Sequence, residues 1–280
     1  SKPIDSDNFL QLARENLSIE GLELCFANNI FSDDFLPFFA STKDFMLSDL
    51  EDAISSDEYE IIWAARGGYG SANLAVKLID AKPVANKTLI GFSDITALHS
   101  LFNNIYKLPT IHADVVSNFI RKKLEFSKYL KPILEGANLD YNLSSLNKLD
   151  YDIKAESITG GNLTVLCSLI GTKLSPELKD KILFIEDVNE PGYKIHRNLM
   201  HLKNAGILDQ AKAIIFGDFT ESDNFKDIAI NDFVNNEINI PCYSLDGAGH
   251  GQENKPIIFG SNSKIENSIL KIQNPFKYKI

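Results

Sequence analysis

The chain has 280 residues, 44% hydrophobic and 24% charged, which excludes disordered and collagen-like classes and leaves length for two modest domains. Its formal charge of -10, from 28 basic against 38 acidic residues, argues against a polyanionic partner, because neutralising phosphates needs clustered Lys and Arg; nucleic acid is not an expected ligand. No stretch approaches the roughly 18 continuous apolar residues of a membrane span.

From Asp5 to about Phe119, helical patterns alternate with short apolar runs, the βα rhythm of a parallel sheet covered by helices. FLQLARENLSIEGLEL reads as a helix, a turn and a strand at Leu22 to Phe26. Behind a cap at Ser41 or Thr42, the apolar residues Phe45, Leu47, Leu50, Ala53 and Ile54 fall at helical spacing. EIIWAA is then a buried strand, RGGYGSAN a glycine-rich loop, and LAVKLIDA a helix stopped by Lys82 and Pro83. KTLIGF is the next strand and runs directly into the helical pattern SDITALHSLFNNIY. The basic cluster Arg121, Lys122 and Lys123 reads as a solvated helix end.

Residues 126–155 lose regularity and turn polar, so they are read as a linker between a first domain, 1–125, and a second, 156–280. The second domain is richer in strands, with ESITGGN, ILFIED, AIIFGDF, PIIFG and SILKIQN, and has helices at NLTVLCSLIG and KIHRNLMHLKNAG. Cys25, Cys167 and Cys242 are odd in number, far apart and set in apolar runs, so they read as buried thiols. Neither paired C-x-x-C nor H-E-x-x-H is present, and no metal or cofactor is expected. The residues from Ser1 carry no charged-then-apolar leader; the cytoplasm is the expected compartment, with the periplasm open if a signal peptide precedes Ser1.

Three places could carry chemistry. In Leu89-Ile90-Gly91-Phe92-Ser93-Asp94-Ile95, a serine stands between an apolar strand and a helix. A tight turn there would project its hydroxyl as a nucleophile, although Ile95 replaces the second glycine of G-x-S-x-G. Equally, Ser93 could simply cap the helix. Arg66-Gly67-Gly68-Tyr69-Gly70-Ser71 follows a strand end, where glycines let backbone N–H groups approach a phosphate or an oxyanion. In the second half, Glu186 and Asp187 end an apolar run, and His250 is wrapped in glycines on a loop where it has little packing of its own. His99 and His201 read as structural or surface residues.

Taken together, IIWAARGGYGSANL, LIGFSDITALHS, ITGGNLTVLCSLIGT, ILFIEDVNEPGYKIHRNLMHLKNAG, AIIFGDF and GAGHGQENKPIIFG resemble, in order, the LD-carboxypeptidases. That serine peptidase family includes murein tetrapeptide carboxypeptidases and microcin C immunity proteins, and the resemblance runs from about Phe39 to Gly260. It implies an N-terminal Rossmann-like domain, a smaller mixed α/β C-terminal domain and an active site in the cleft between them. It further implies Ser93 as nucleophile, His250 as base and Glu186 as orienting acid, with the N–H groups of Asp94 and Gly68 as oxyanion hole. Gly67 and either Arg66 or Arg197 would meet the substrate, the arginine taking its free carboxylate. The implied reaction removes D-alanine from a muropeptide in peptidoglycan recycling, by a homodimer. Two alternatives are a hydrolase of peptidyl nucleotides using the same triad and a non-catalytic binder of a phosphorylated ligand on the RGGYGS loop. The chain departs from the family pattern by starting at Ser1-Lys2-Pro3 without a first strand, by His112-Ala113-Asp114 in place of His-Gly-Pro, and by His196-Arg197 in place of Asp-Arg.

Overall fold

The computed structural model describes residues 7–18, 22–27, 30, 39–83 and 87–280. Its helices are α1 (Asp7–Ser18), α2 (Lys43–Ser55), α3 (Ser71–Lys77), α4 (Thr96–Ser100), α5 (Val116–Arg121), α6 (Phe126–Tyr129), α7 (Lys131–Leu134), α8 (Leu163–Ser168), α9 (Gly192–Asn204) and α10 (Lys226–Asp232). The strands are β1 (Ile61–Trp63), β2 (Thr88–Gly91), β3 (Thr110–His112), β4 (Leu139–Asn142), β5 (Ser144–Ser145), β6 (Ile153–Ala155), β7 (Ser157–Asn162), β8 (Lys181–Val188), β9 (Ala213–Thr220), β10 (Cys242–Ser244), β11 (Ile257–Phe259), β12 (Ser263–Glu266) and β13 (Ile269–Ile272).

Local chemistry explains the elements that frame the site. Thr42 starts α2 by accepting from the Phe45 N–H at 3.3 Å. On α9, Ile195, Leu199 and Leu202 recur at helical spacing and are all buried, while the intervening polar residues face outward. Every residue of β2 is buried, as are six of the eight in β8, which explains why both read as continuous apolar runs: parallel strands covered on two faces have no polar side.

The strands form three sheets ordered β1-β2-β3-β11, β5-β10-β9-β8-β7 and β4-β13-β12-β6. In the first, β1, β2 and β3 run parallel and β11 joins antiparallel to β3, pairing Ile257 with His112 and Phe259 with Thr110. In the second, β7 to β10 are parallel and β5 is antiparallel at the edge. The third is antiparallel throughout. One apolar cluster touches all three, joining Ile90 and Ile111 to Phe184 and Ile215 and to Leu270 and Ile272. The architecture is therefore α/β, as expected.

Four readings change. Residues 126–155 are not a bare linker: they hold α6, α7, β4, β5 and β6, and Phe126, Leu130, Ile133 and Leu134 enter the shared core. Elements of two to four residues are too short for a hydrophobic period to show. Leu22 to Phe26 forms no strand; Leu22, Leu24 and Phe26 pack on the core by alternation, so Cys25 points outward and is exposed rather than buried. Cys167 is half-buried and Cys242 buried. Lys122 is no solvated charge, for it pairs at 3.1 Å with the buried Asp114. Finally, β1 is half-buried, as suits the edge of its sheet. The turn expected over residues 19–21 and the chain start at Ser1 lie outside the described residues.

No helix among the described residues is long and apolar enough to cross a membrane, and among them no three His, Cys, Asp or Glu side chains are grouped to hold a metal.

Candidate active site

β2 ends at Gly91, Phe92 is extended, and Ser93 turns into the left-handed region at φ 64°, where a non-glycine residue is strained. A 3-10 turn over Ser93–Ile95 then leads into α4. The crowding is local: a Cβ on Gly91 would stand 3.0 Å from two carbons of Ile95. Ile95 thus fills the space above Gly91 instead of supplying a second glycine. Phe92 occupies the cap position of this turn with no side-chain cap bond, so the capping role for Ser93 falls. Its Oγ faces an imidazole, lying 3.0 Å from His250 Nε2.

On the other side of that ring, His250 Nδ1 is 2.5 Å from Glu186 Oε2. Glu186 is fully buried near the end of β8, and Phe92 packs against the His250 ring at 4.6 Å between centroids. Burial works against charge on the imidazole, but the Glu186 carboxylate, helped by Asp187 and Asp114, outweighs it and holds His250 above the ordinary histidine value. Burial pushes the Glu186 carboxyl up while His250 pulls it back. The pair is thus arranged to keep a proton on Nδ1 and leave Nε2 open toward Ser93.

The neighbouring acid does something different, because successive strand residues face opposite ways. Asp187 accepts from Asn162 Nδ2 at 2.8 Å and from the Thr164 N–H and hydroxyl at 3.0 and 2.8 Å, tying the start of α8 to β8. Asp94 likewise anchors the glycine loop: its Oδ2 accepts from the Ser71 N–H at 3.1 Å and from the Ser71 hydroxyl at 2.7 Å. In the same loop Gly67 lies against Ser93, so close that a Cβ there would lie 3.3 Å from Ser93 Cβ and 3.5 Å from Oγ. Gly68 is exposed in the same loop, and Arg66 is half-buried at its start. Arg197 is exposed on α9, its guanidinium over the Tyr193 ring at 6.0 Å.

Of the remaining histidines, His99 is a core residue, with Nδ1 at 2.8 Å from Thr110 Oγ1 and Nε2 at 2.9 Å from the Gly91 carbonyl; burial pushes it down to about 4. His112 is buried among Phe92, Phe184 and Phe259, and burial holds it well below the ordinary value. His196 lies 3.1 Å from Asp232 on the partly exposed face of α9.

Sequence reasoning missed the contacts that brace the site, one across the two halves and two within the second. Thr96 Oγ1 on α4 accepts from the Asn162 N–H at 2.9 Å, and Asn254 Oδ1 accepts from the Gly249 N–H at 2.9 Å. Asp218 also supports the histidine loop, accepting from the Gly247 N–H at 3.0 Å. Only the glycines of D-G-A-G-H-G hinted that this loop is closely held.

Residues 1–113 match the model of the LD-carboxypeptidase N-terminal domain and residues 157–265 that of the LD-carboxypeptidase C-terminal domain. The murein tetrapeptide carboxypeptidase of Pseudomonas aeruginosa is 30% identical over 254 residues, covering 84% of this chain and 81% of its own. A Rickettsia conorii protein, provisionally named a carboxypeptidase, is 37% identical over 257 residues, 89% of this chain and 81% of its own. In three dimensions the chain is similar to the muramoyltetrapeptide carboxypeptidase of Oxalobacter formigenes, with TM-score 0.77, 23% identity and 97% of each chain covered. It is also similar to an MccF-like protein of Bacillus anthracis, with TM-score 0.80 and 20% identity over 98% of this chain and 94% of the other.

Proposed function

Because this chain belongs to the LD-carboxypeptidase family, we propose that it is a serine carboxypeptidase that removes the terminal D-amino acid, D-alanine, from a murein tetrapeptide. The observation that carries the reading is the hydrogen-bonded series from Ser93 Oγ to His250 Nε2 at 3.0 Å and from His250 Nδ1 to Glu186 Oε2 at 2.5 Å. The name of the Pseudomonas relative supports the choice of substrate.

In this mechanism His250 Nε2 takes the Ser93 proton as Oγ attacks the carbonyl carbon of the last peptide bond. Glu186 stabilises the imidazolium that forms, without itself taking the proton. The oxyanion is held by the N–H groups of Asp94, at the start of the turn, and Gly68, in the loop that Asp94 tethers. As the intermediate collapses, His250 returns its proton to the departing nitrogen and the D-amino acid leaves. Water then adds to the acyl-serine, giving a proton to Nε2, and the released Oγ regains it. Arg66, at the start of the same loop, is the partner for the substrate's free carboxylate.

The test is D-alanine release from a tetrapeptide muropeptide. Ser93→Ala should lower the rate by about four to six orders of magnitude. A variant that kept most of its activity would remove Ser93 from the mechanism, and preferential hydrolysis of a peptidyl adenylate by the native protein would replace the muropeptide as substrate.

A further inference from the structure

Gly249, the residue before the base, does not hold its place by packing alone. Its N–H donates to Asn254 Oδ1 at 2.9 Å, and Asn254 is 2% exposed. The main-chain carbonyl of Asn254 in turn accepts from the Tyr129 hydroxyl at 2.6 Å. That phenol oxygen accepts from the Asp114 N–H at 3.0 Å, and the Asp114 carbonyl accepts from Trp63 Nε1 at 2.8 Å. The Asp114 side chain is fixed by Lys122 at 3.1 Å and by Asn118 at 3.3 Å. A continuous chain of hydrogen bonds therefore runs from β1 and the segment after β3, through α6, to the backbone beside His250.

We propose that Tyr129 and Asn254 are positioning residues for His250, setting through this chain the separation between the imidazole and Ser93. The argument is geometric. His250 sits on a loop between β10 and β11, whereas Ser93 follows β2, and the phenol oxygen bonds both the segment leaving the nucleophile's sheet and the loop carrying the base. Proton transfer from the serine requires a heavy-atom distance of about 2.6 to 3.2 Å. A loop released at Gly249 would wander outside that window most of the time. The bonds are buried or half-buried, where losing one leaves its partner unsatisfied instead of hydrated.

This inference rests on the serine carboxypeptidase reading, and the experiment separates the two. Tyr129→Phe cuts the outer link; Asn254→Ala cuts the inner one and keeps the carbonyl that accepts from Tyr129. Both are assayed for D-alanine release from the tetrapeptide and for covalent labelling by a fluorophosphonate, with melting temperature measured alongside. Each variant should lose about 10- to 100-fold in kcat and in labelling rate with KM within about threefold, since misplacing a catalytic group by about 1 Å costs on that order. The double variant should fall little below the worse single one, because both cuts release the same loop. A lowered melting temperature with kcat per folded molecule unchanged would overturn the proposal and leave the two residues structural, and so would losses that multiply in full. If Tyr129→Phe fails to fold, Asn254→Ala decides alone. Failure of the native protein to label or to release D-alanine would strike at the carboxypeptidase reading, whereas native activity with unaffected variants would strike only at the positioning role.

Discussion

Replacing Glu186 by Gln probes the contact that distinguishes an activated serine from an ordinary one. The substitution keeps the shape and removes the charge of a fully buried carboxylate that sits 2.5 Å from His250 Nδ1. Two effects add. Opposite charges about 4 Å apart at an effective dielectric near 20 attract by about 4 kcal/mol, so losing that attraction in the transition state lowers the rate by about three orders of magnitude. The amide can also present N–H to Nδ1, which places the ring proton on Nε2, where it blocks acceptance from Ser93; the combined loss should approach about 10⁴-fold in kcat. The pH profile supplies an independent sign. If His250 is the proposed base it must be uncharged to act, so activity should rise as pH climbs through its pKa, which the carboxylate holds above the ordinary histidine value. In Glu186→Gln the acid limb should therefore move to lower pH while the plateau falls. Steady-state hydrolysis of the tetrapeptide from acid to neutral pH reads both. A plateau within about tenfold of the native enzyme, or an acid limb that does not move, would refute the pairing as a functional one.

Gly67→Ala should lower kcat by about 10²-fold with little change in melting temperature, because the new methyl would press on Ser93 from 3.3 Å in a loop that is partly exposed; the comparison of turnover with thermal unfolding checks it. Leu130→Ala should destabilise the protein by about 2 to 5 kcal/mol in denaturant unfolding, because Leu130 is fully buried in the core cluster that spans the sheets; a tether between domains would tolerate the change. Cys25 should react first with a maleimide under native conditions and Cys242 only on unfolding, since Cys25 is exposed while burial pushes the Cys242 thiol up to about 12; peptide mapping by mass spectrometry follows the order.

What the sequence made legible was local. The strand-to-helix turn at Ser93, the acids closing an apolar run at Glu186 and the glycines around His250 are each signalled within a few residues, and family resemblance joined them. Strand alternation says only that the two acids face opposite ways; the structure turns Glu186 toward the imidazole and Asp187 toward α8. The remainder depended on contacts distant in sequence. Nothing near Tyr129 announces that its hydroxyl reaches Asn254, and the polar character of residues 126–155 conceals six large apolar side chains that enter the core, Phe126, Leu130, Ile133, Leu134, Leu143 and Ile153. Lys122 looked like part of a surface cluster because its partner, Asp114, lies in the turn before α5 and is itself hidden from solvent.

The antiparallel pairing of β11 with β3 limits how this fold can open. His250 is flanked by β10, in the five-stranded sheet, and by β11, seven residues on, at the edge of the sheet whose β2 leads to Ser93. Opening the two halves like a book would tear that ladder and expose its backbone groups, a cost far above thermal fluctuation. The ladder therefore limits how far the His250 loop can draw away from the turn at Ser93.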